Sequence, residues 1–205
     1  MADERGRFIV FECGEACGKT TQATRLAAAI DGRRTREPGG TEVGRRVREL
    51  LLDPATGEVD ARAEALLMAA DRAHHVATVV LPTLEAGRHV VSDRYIGSSV
   101  AYQGHGRGLD PERVADISAW ATRGLEPDLV ILLDVPASAA KARRERGPDR
   151  LEAAGDGFHQ RVAEGFRALA AAEPDRWVVI DGTPDPDVVE RAVASAVGDR
   201  LGLLP

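Results

Sequence analysis

Short apolar runs, separated by longer stretches of helical periodicity, set the character of this chain. Phe8 to Phe11, His89 to Ser92, Leu129 to Asp134 and Trp177 to Ile180 are each a few residues long and nearly continuous in apolar character, and a weaker, more polar run lies near Arg34 to Arg36. Runs of this kind read as strands covered on both faces, the habit of a parallel sheet. Between them, helices are predicted over Lys19 to Ile30, Glu42 to Leu52, Ala61 to Glu85, Pro111 to Thr122, Ala137 to Arg146, Phe158 to Ala172 and Asp187 to Leu201. In the first, Ala23, Leu26, Ala27 and Ile30 fall at helical spacing and make one apolar face. Pro82 is expected to kink or end the third helix early. Strands alternating with helices define an α/β fold, with a central parallel five-stranded sheet flanked by helices.

A length of 205 residues suits one domain over 1–205 with a substantial core. Only 4% of residues are aromatic, so that core is built mainly from Val, Leu, Ile and Ala. The net charge of −6 argues against a nucleic-acid partner, which calls for a basic surface. It leaves room for a basic pocket, because a phosphate site needs only a few converging cations. The opening MADERGRFIVFEC lacks the apolar stretch of a signal peptide, and later apolar runs are strand-length, so a cytoplasmic protein with no membrane partner is expected. Gly147 to Gly157, with its glycines, proline and mixed charge, is the best candidate for a mobile segment.

Chemistry first shows in FIVFECGEACGKTTQ, Phe8 to Gln22, where a β-run gives way to a small-residue loop and then a helix. Backbone N–H groups of Cys13, Gly14, Glu15, Ala16, Cys17 and Gly18 can wrap a phosphate of ATP at the positive end of that helix. Lys19 then reaches the β- and γ-phosphates, and Thr20 offers its hydroxyl to Mg²⁺. Cys13 stands where the usual GxxxxGK[ST] pattern has glycine, and a side chain there is expected to narrow the cradle and weaken ATP. Cys13 and Cys17 admit two readings, as small apolar fillers or as perturbed thiols of a redox-sensitive loop. A bond between them requires Cα atoms closer than about 7 Å, which spacing alone does not decide.

TREPGGTEVGRRVRELLL (Thr35 to Leu52), LLMAADRAHH (Leu66 to His75), SDRYIGSSVAYQGHGRGL (Ser92 to Leu109) and RRERGPDRLE (Arg143 to Glu152) follow in order. With these blocks the chain closely resembles the bacterial thymidylate kinases, P-loop kinases of nucleoside monophosphates, from about Arg7 to Gly182. The resemblance implies a P-loop NTPase fold with a short LID near 146–157, a homodimer, and ATP-dependent phosphorylation of thymidylate with Mg²⁺. It implies that Asp93 lies near the metal and that Arg94 contacts the acceptor phosphate, with Arg48 a further candidate. It sets Arg72 at the thymine edge, Ser99 facing the base, Tyr102 beside the deoxyribose and Gln103 nearby. Glu37 orients the acceptor pocket or an adjacent arginine, and Glu15 contacts the sugar or a catalytic water network. Arg146 and Arg150 of the LID are the expected catalytic arginines, spanning the donor and acceptor phosphates. Met68 departs from the pattern: relatives usually stack phenylalanine on the thymine ring, whereas methionine offers a softer, polarizable contact.

No covalent nucleophile is required, because the acceptor phosphate is already largely anionic at neutral pH and attacks the γ-phosphorus directly. Positioning and charge neutralisation carry the reaction. Two alternatives stand beside thymidylate phosphorylation. Met68 motivates a kinase for a modified deoxypyrimidine monophosphate, and Cys13 motivates a weakly active nucleotide-binding relative.

Overall fold

Successive side chains of a strand face opposite ways, so a run that is apolar throughout must find cover on both sides. In the computed structural model, which describes residues 5–143 and 149–204, it does. The strands are β1 Phe8–Glu12, β2 Arg33–Arg36, β3 Val90–Asp93, β4 Leu129–Asp134 and β5 Trp177–Asp181. They form one five-stranded sheet in the order β2-β3-β1-β4-β5, with every pairing parallel. The helices are α1 Lys19–Ala29, α2 Glu42–Leu52, α3 Ala61–His75, α4 Leu81–Glu85, α5 Ile96–Ser99, α6 Pro111–Ala121, α7 Ala137–Ala142, α8 Asp156–Ala172 and α9 Pro186–Leu201.

Two cores result. Phe8, Val10, Val90, Val130 and Leu132 face one side, where Met68 of α3 and Phe158, Val162 and Phe166 of α8 cover them. Ile9, Phe11, Val91, Ile131 and Leu133 face the other, under Ala23 and Leu26 of α1 and Val189, Val193 and Val197 of α9. In β2 only Thr35 is buried, and the arginines along this edge strand discourage pairing with another chain. Among the described residues, no helix is long and apolar enough to cross a membrane.

Two helical predictions change. The stretch expected as one helix over Ala61 to Glu85 runs as α3, then wider π-type turns over Val76–Val80, then α4. A proline removes one helical hydrogen bond and crowds the carbonyl of the preceding turn; the widened turns just before Pro82 relieve that conflict without ending the rod. The helix expected over Ala137 to Arg146 is described only as far as Ala142, and Arg146 lies outside the described residues. An unpredicted helical segment, α5 continuing through π-type turns over Val100–Gly106, follows β3.

The two-sided burial sets a contrast in stability. Ile131→Ala, in a fully buried central strand, should cost about 2–5 kcal/mol in urea unfolding. Val179→Ala, at an exposed position of β5, should stay within about 0.5 kcal/mol.

Candidate active site

Parallel pairing of β1 with β3 sets Phe11 opposite Asp93, so the loops leaving both strands share one edge of the sheet. Ligands gather at this C-terminal edge in open α/β folds. After Glu12 the chain loops through residues 13–18 and enters α1 at Lys19. Gly18 takes φ 83°, which glycine does freely. Ala16 is also left-handed, at φ 49°, a conformation that costs a side-chain-bearing residue roughly 1–2 kcal/mol. The loop therefore holds one strained residue.

Lys19 and Thr20 both meet Asp93. Thr20 Oγ1 donates to Asp93 Oδ2 at 2.7 Å, and Lys19 Nζ lies 3.4 Å from Asp93 Oδ1. Burial works against the Asp93 charge, yet Lys19 and Arg94 outweigh it and hold the carboxyl below its usual range. Burial and the nearby Arg94 push Lys19 downward. A polyphosphate beside Lys19 would reverse that pressure. The hydroxyl of Thr20 and the carboxylate of Asp93 are hard oxygen donors of the kind that Mg²⁺ takes together with phosphate oxygens and water.

Cys13 does not crowd the cradle. Its side chain is fully buried in the core under α1 and α9, beside Ile9 and Phe11, and Cys17 is buried with it. The two are joined as a disulfide, with Cα atoms 6.5 Å apart. The expected narrowing fails because Cys13 continues the inward alternation of β1.

Arg94 is the most constrained side chain of the site. Its backbone is left-handed at φ 76°, pinned by its N–H donating to the Phe11 carbonyl at 2.9 Å and by Ser92 Oγ donating to its own carbonyl at 2.8 Å. Its guanidinium donates to the carbonyls of Cys13 (2.9 Å) and Gly14 (3.2 Å) and to Glu15 Oε1 (3.2 Å). It lies 4.9 Å from the centroid of the Tyr102 ring, whose hydroxyl also donates to Glu15. Burial opposes its charge, but the oxygens of Tyr102, Glu15 and Asp93 keep it protonated. Beneath it, Glu12 accepts from the N–H groups of Tyr95 (3.0 Å) and Ser98 (2.9 Å), and burial pushes its carboxyl up to about 7.

These groups border a cavity of about 390 Å³. Glu15, Ala16, Cys17, Gly18, Lys19 and Thr20 line one part of it. Arg36, Arg48 and Arg94 converge on another, and burial, then Arg36 and Arg94, push Arg48 downward. Mutual repulsion of this kind marks a place built for an anion. Glu37, Met68, Arg72, Ser99, Tyr102 and Gln103 also line the cavity. Arg72 is buried and donates to Glu37 Oε2 (2.7 Å), Ser118 Oγ (3.1 Å), the Tyr95 carbonyl (3.1 Å) and Ser99 Oγ (3.0 Å).

Arg150, expected at the phosphates, does not line the cavity with Lys19 and Arg94. Arg150 turns instead to Glu64 (2.5 Å) and the Leu51 carbonyl (2.7 Å), because Glu64 is a fully buried carboxylate that needs cations. Arg107 (3.1 Å) and the amide of Gln103 (2.9 Å) complete the Glu64 cluster. Arg146 lies outside the described residues. Cys13 and Gly14 do not line the cavity with Lys19; their carbonyls serve Arg94 instead. Sequence reasoning gave no role to Arg36, Glu12 or Glu64. Arg36 ends β2 at the ligand edge of the sheet, a signal that was available.

A phosphate loop facing an arginine cluster within one cavity, on this sheet order, defines a P-loop phosphotransferase that joins two phosphorylated substrates. The sequence profile of the family described as thymidylate kinase matches residues 11–193. The thymidylate kinase of Cutibacterium acnes is 47% identical over 201 residues, spanning 96% of this chain and 98% of that protein. That of Solidesulfovibrio magneticus is 49% identical, over 95% of this chain and all of its own length. That of Leifsonia xyli is 52% identical over 96% of each. The chain belongs to the thymidylate kinase family.

The inward course of Cys13 carries a measurable consequence. Under reducing conditions, Cys13→Gly should leave ATP affinity within about twofold by calorimetric titration, since no cradle hydrogen bond, worth about 1.5–3 kcal/mol to a charged partner, is regained. A tenfold gain would mean that the thiol does intrude on the phosphates.

Proposed function

We propose that this protein transfers the γ-phosphoryl group of ATP to thymidylate, giving dTDP, in a single domain by direct in-line attack. The observation that carries this reading is the cavity itself: the Lys19–Thr20 end of the phosphate loop and the cluster of Arg36, Arg48 and Arg94 open into the same space. One anion site would serve an ATPase; two facing sites serve transfer between phosphates.

In this reading Lys19 holds the β- and γ-phosphates, and Arg94 and Arg48 hold the acceptor phosphate so that its oxygen faces the γ-phosphorus. The bond from that oxygen to phosphorus forms as the bond to the β-bridging oxygen breaks, and the charge released passes to ADP. Arg94 stands where both phosphate groups meet, and Glu15 with Tyr102 keeps its fork from swinging. Mg²⁺ held by Thr20 and Asp93 would neutralise charge on the ATP phosphates. Arg72 and Ser99 read the base edge, Met68 lies against its face, and Tyr102 fills the space that a 2′-hydroxyl would need. Residues 146–157 serve as the LID, with Arg146 as its catalytic arginine and Arg150 anchoring its far end. As an enzyme of ATP and thymidylate, the protein works in the cytoplasm. It works as a homodimer through α2, α3 and α6, which expose Leu50, Leu66 and Trp120, the last 85% exposed.

Purified protein should form ADP from ATP only when thymidylate is present, and product analysis should find dTDP. Lys19→Ala and Arg94→Ala should each lower kcat/KM by about 10²–10³, the scale of losing one donor in a desolvated charged site. Folded Arg94→Ala protein turning over normally would sink the acceptor assignment. Sedimentation velocity should show a dimer that Leu66→Glu converts to monomer.

A further inference from the structure

Arg72 cannot choose its own orientation. Among the described residues it has four acceptors for its five N–H groups, which leaves one N–H, on Nη1, for a ligand. A guanidinium with a single free donor reads a base only if its plane is fixed. Three of its acceptors are neutral oxygens; the fourth, Glu37, is the only charged one and lies at the shortest distance, 2.7 Å. Glu37 is itself buried at 3% exposure, so the position of its carboxylate decides the plane of Arg72.

What fixes Glu37 is His75, one turn further along α3. His75 Nδ1 lies 2.8 Å from Glu37 Oε1, and His75 Nε2 lies 2.6 Å from Thr35 Oγ1. A carboxylate facing a guanidinium can only accept, which assigns a ring proton to Nδ1, while Nε2 pairs with the Thr35 hydroxyl. The ring is fully buried and wedged from outside: a Cβ on Gly40 would sit 2.6 Å from His75 Cδ2. The imidazole is thus clamped between β2 and the 37–40 loop, and it touches neither end of the cavity.

We propose that His75 is a positioning residue for nucleobase recognition, acting through Glu37 on Arg72. Thr35 holds the far edge of the ring, His75 donates from Nδ1 to one oxygen of Glu37, and the other oxygen takes Arg72 Nε. The chain of contacts ends at the one N–H left to the ligand. This rests on the reading of Arg72 as the group that meets the base. Without His75, one oxygen of a buried carboxylate loses its donor and Glu37 must turn or draw in water. Either response tilts Arg72 while leaving the phosphate loop untouched.

The test is kinetic, on the full-length chain with ATP and thymidylate. His75→Leu should raise KM for thymidylate about 10-fold, as expected for coupled neighbours, while KM for ATP and kcat change less than about twofold. His75→Asn, whose side-chain N–H can occupy the Nδ1 position, should recover most of the loss. In an Arg72→Met background, His75→Leu should add no further increase. Thr35→Val, which removes the hydroxyl without opening the core, should move KM in the same direction by a smaller factor, and it stands in if His75→Leu does not fold. Equal losses toward both nucleotides, no recovery in His75→Asn, or an undiminished effect in the Arg72→Met background would overturn the inference. If Arg72→Met itself leaves thymidylate KM unchanged, it is the assignment of Arg72 to the base that falls.

Discussion

The pairing of β1 against β3 joins two segments more than eighty residues apart, and the site exists only because of it. Phe11 faces Asp93 across that ladder, so the chain leaves both strands at the same height. Had the register slipped by one residue, every side chain of β3 would exchange faces, and Asp93 would turn from Thr20 toward the opposite layer. The two-sided burial of Phe8 through Phe11 and Val90 through Ser92 excludes that slip, since it would misplace both cores together. Catalytic geometry is thus secured by packing that has no chemistry of its own.

Once that register is set, the chemistry is governed by an excess of positive charge. Lys19, Arg36, Arg48, Arg72 and Arg94 border one cavity, where the described carboxylates are Glu15, Glu37, Asp93 and Asp149. Each of the first three carboxylates is tied to a cation, Glu15 to Arg94, Glu37 to Arg72 and Asp93 to Lys19. Three of these five cations are thus oriented by an ion pair, while Arg36 and Arg94 still press on Arg48. Preorganisation of this sort lets two polyanions approach without the reorganisation that water would need.

Much of this was legible in the sequence, and the failures have physical causes. The strands were visible because buried parallel strands are continuous in apolar residues, and the phosphate loop because its spacing is dictated by the phosphate. The inward course of Cys13 was also available, as the next member of the alternation Ile9, Phe11. The loop motif obscured it by drawing attention to the residue's place in a pattern and away from its place in a strand. The segment Ile96 to Gly106 did not read as a helix because its glycines and serines have weak helical preference. There tertiary packing decides: Tyr102 lies against Phe158 and Phe166 of α8, and Gly97 and Gly106 allow close approach of Trp177 and Phe158. Arg150 was unreadable for a different reason. Its partner Glu64 is 86 residues away, and nothing local to either residue announces a buried carboxylate.

The strained backbones point to how the site divides its tasks. Ala16 and Arg94 are left-handed without being glycine, and both sit where the loop and the end of β3 meet the cavity. Such conformations persist only where surrounding contacts over-determine them. For Arg94 those contacts are a backbone hydrogen bond to Phe11, the Ser92 hydroxyl on its own carbonyl, and the carbonyls of Cys13 and Gly14, so the phosphate loop helps to hold the arginine that faces it. The dependence runs both ways, since Arg94 gives those two carbonyls their charged donor. Arg94 covers them with positive charge. The loop after β1 and the turn after β3 are therefore one structure, and a change that loosens Arg94 is felt in the loop it is bonded to.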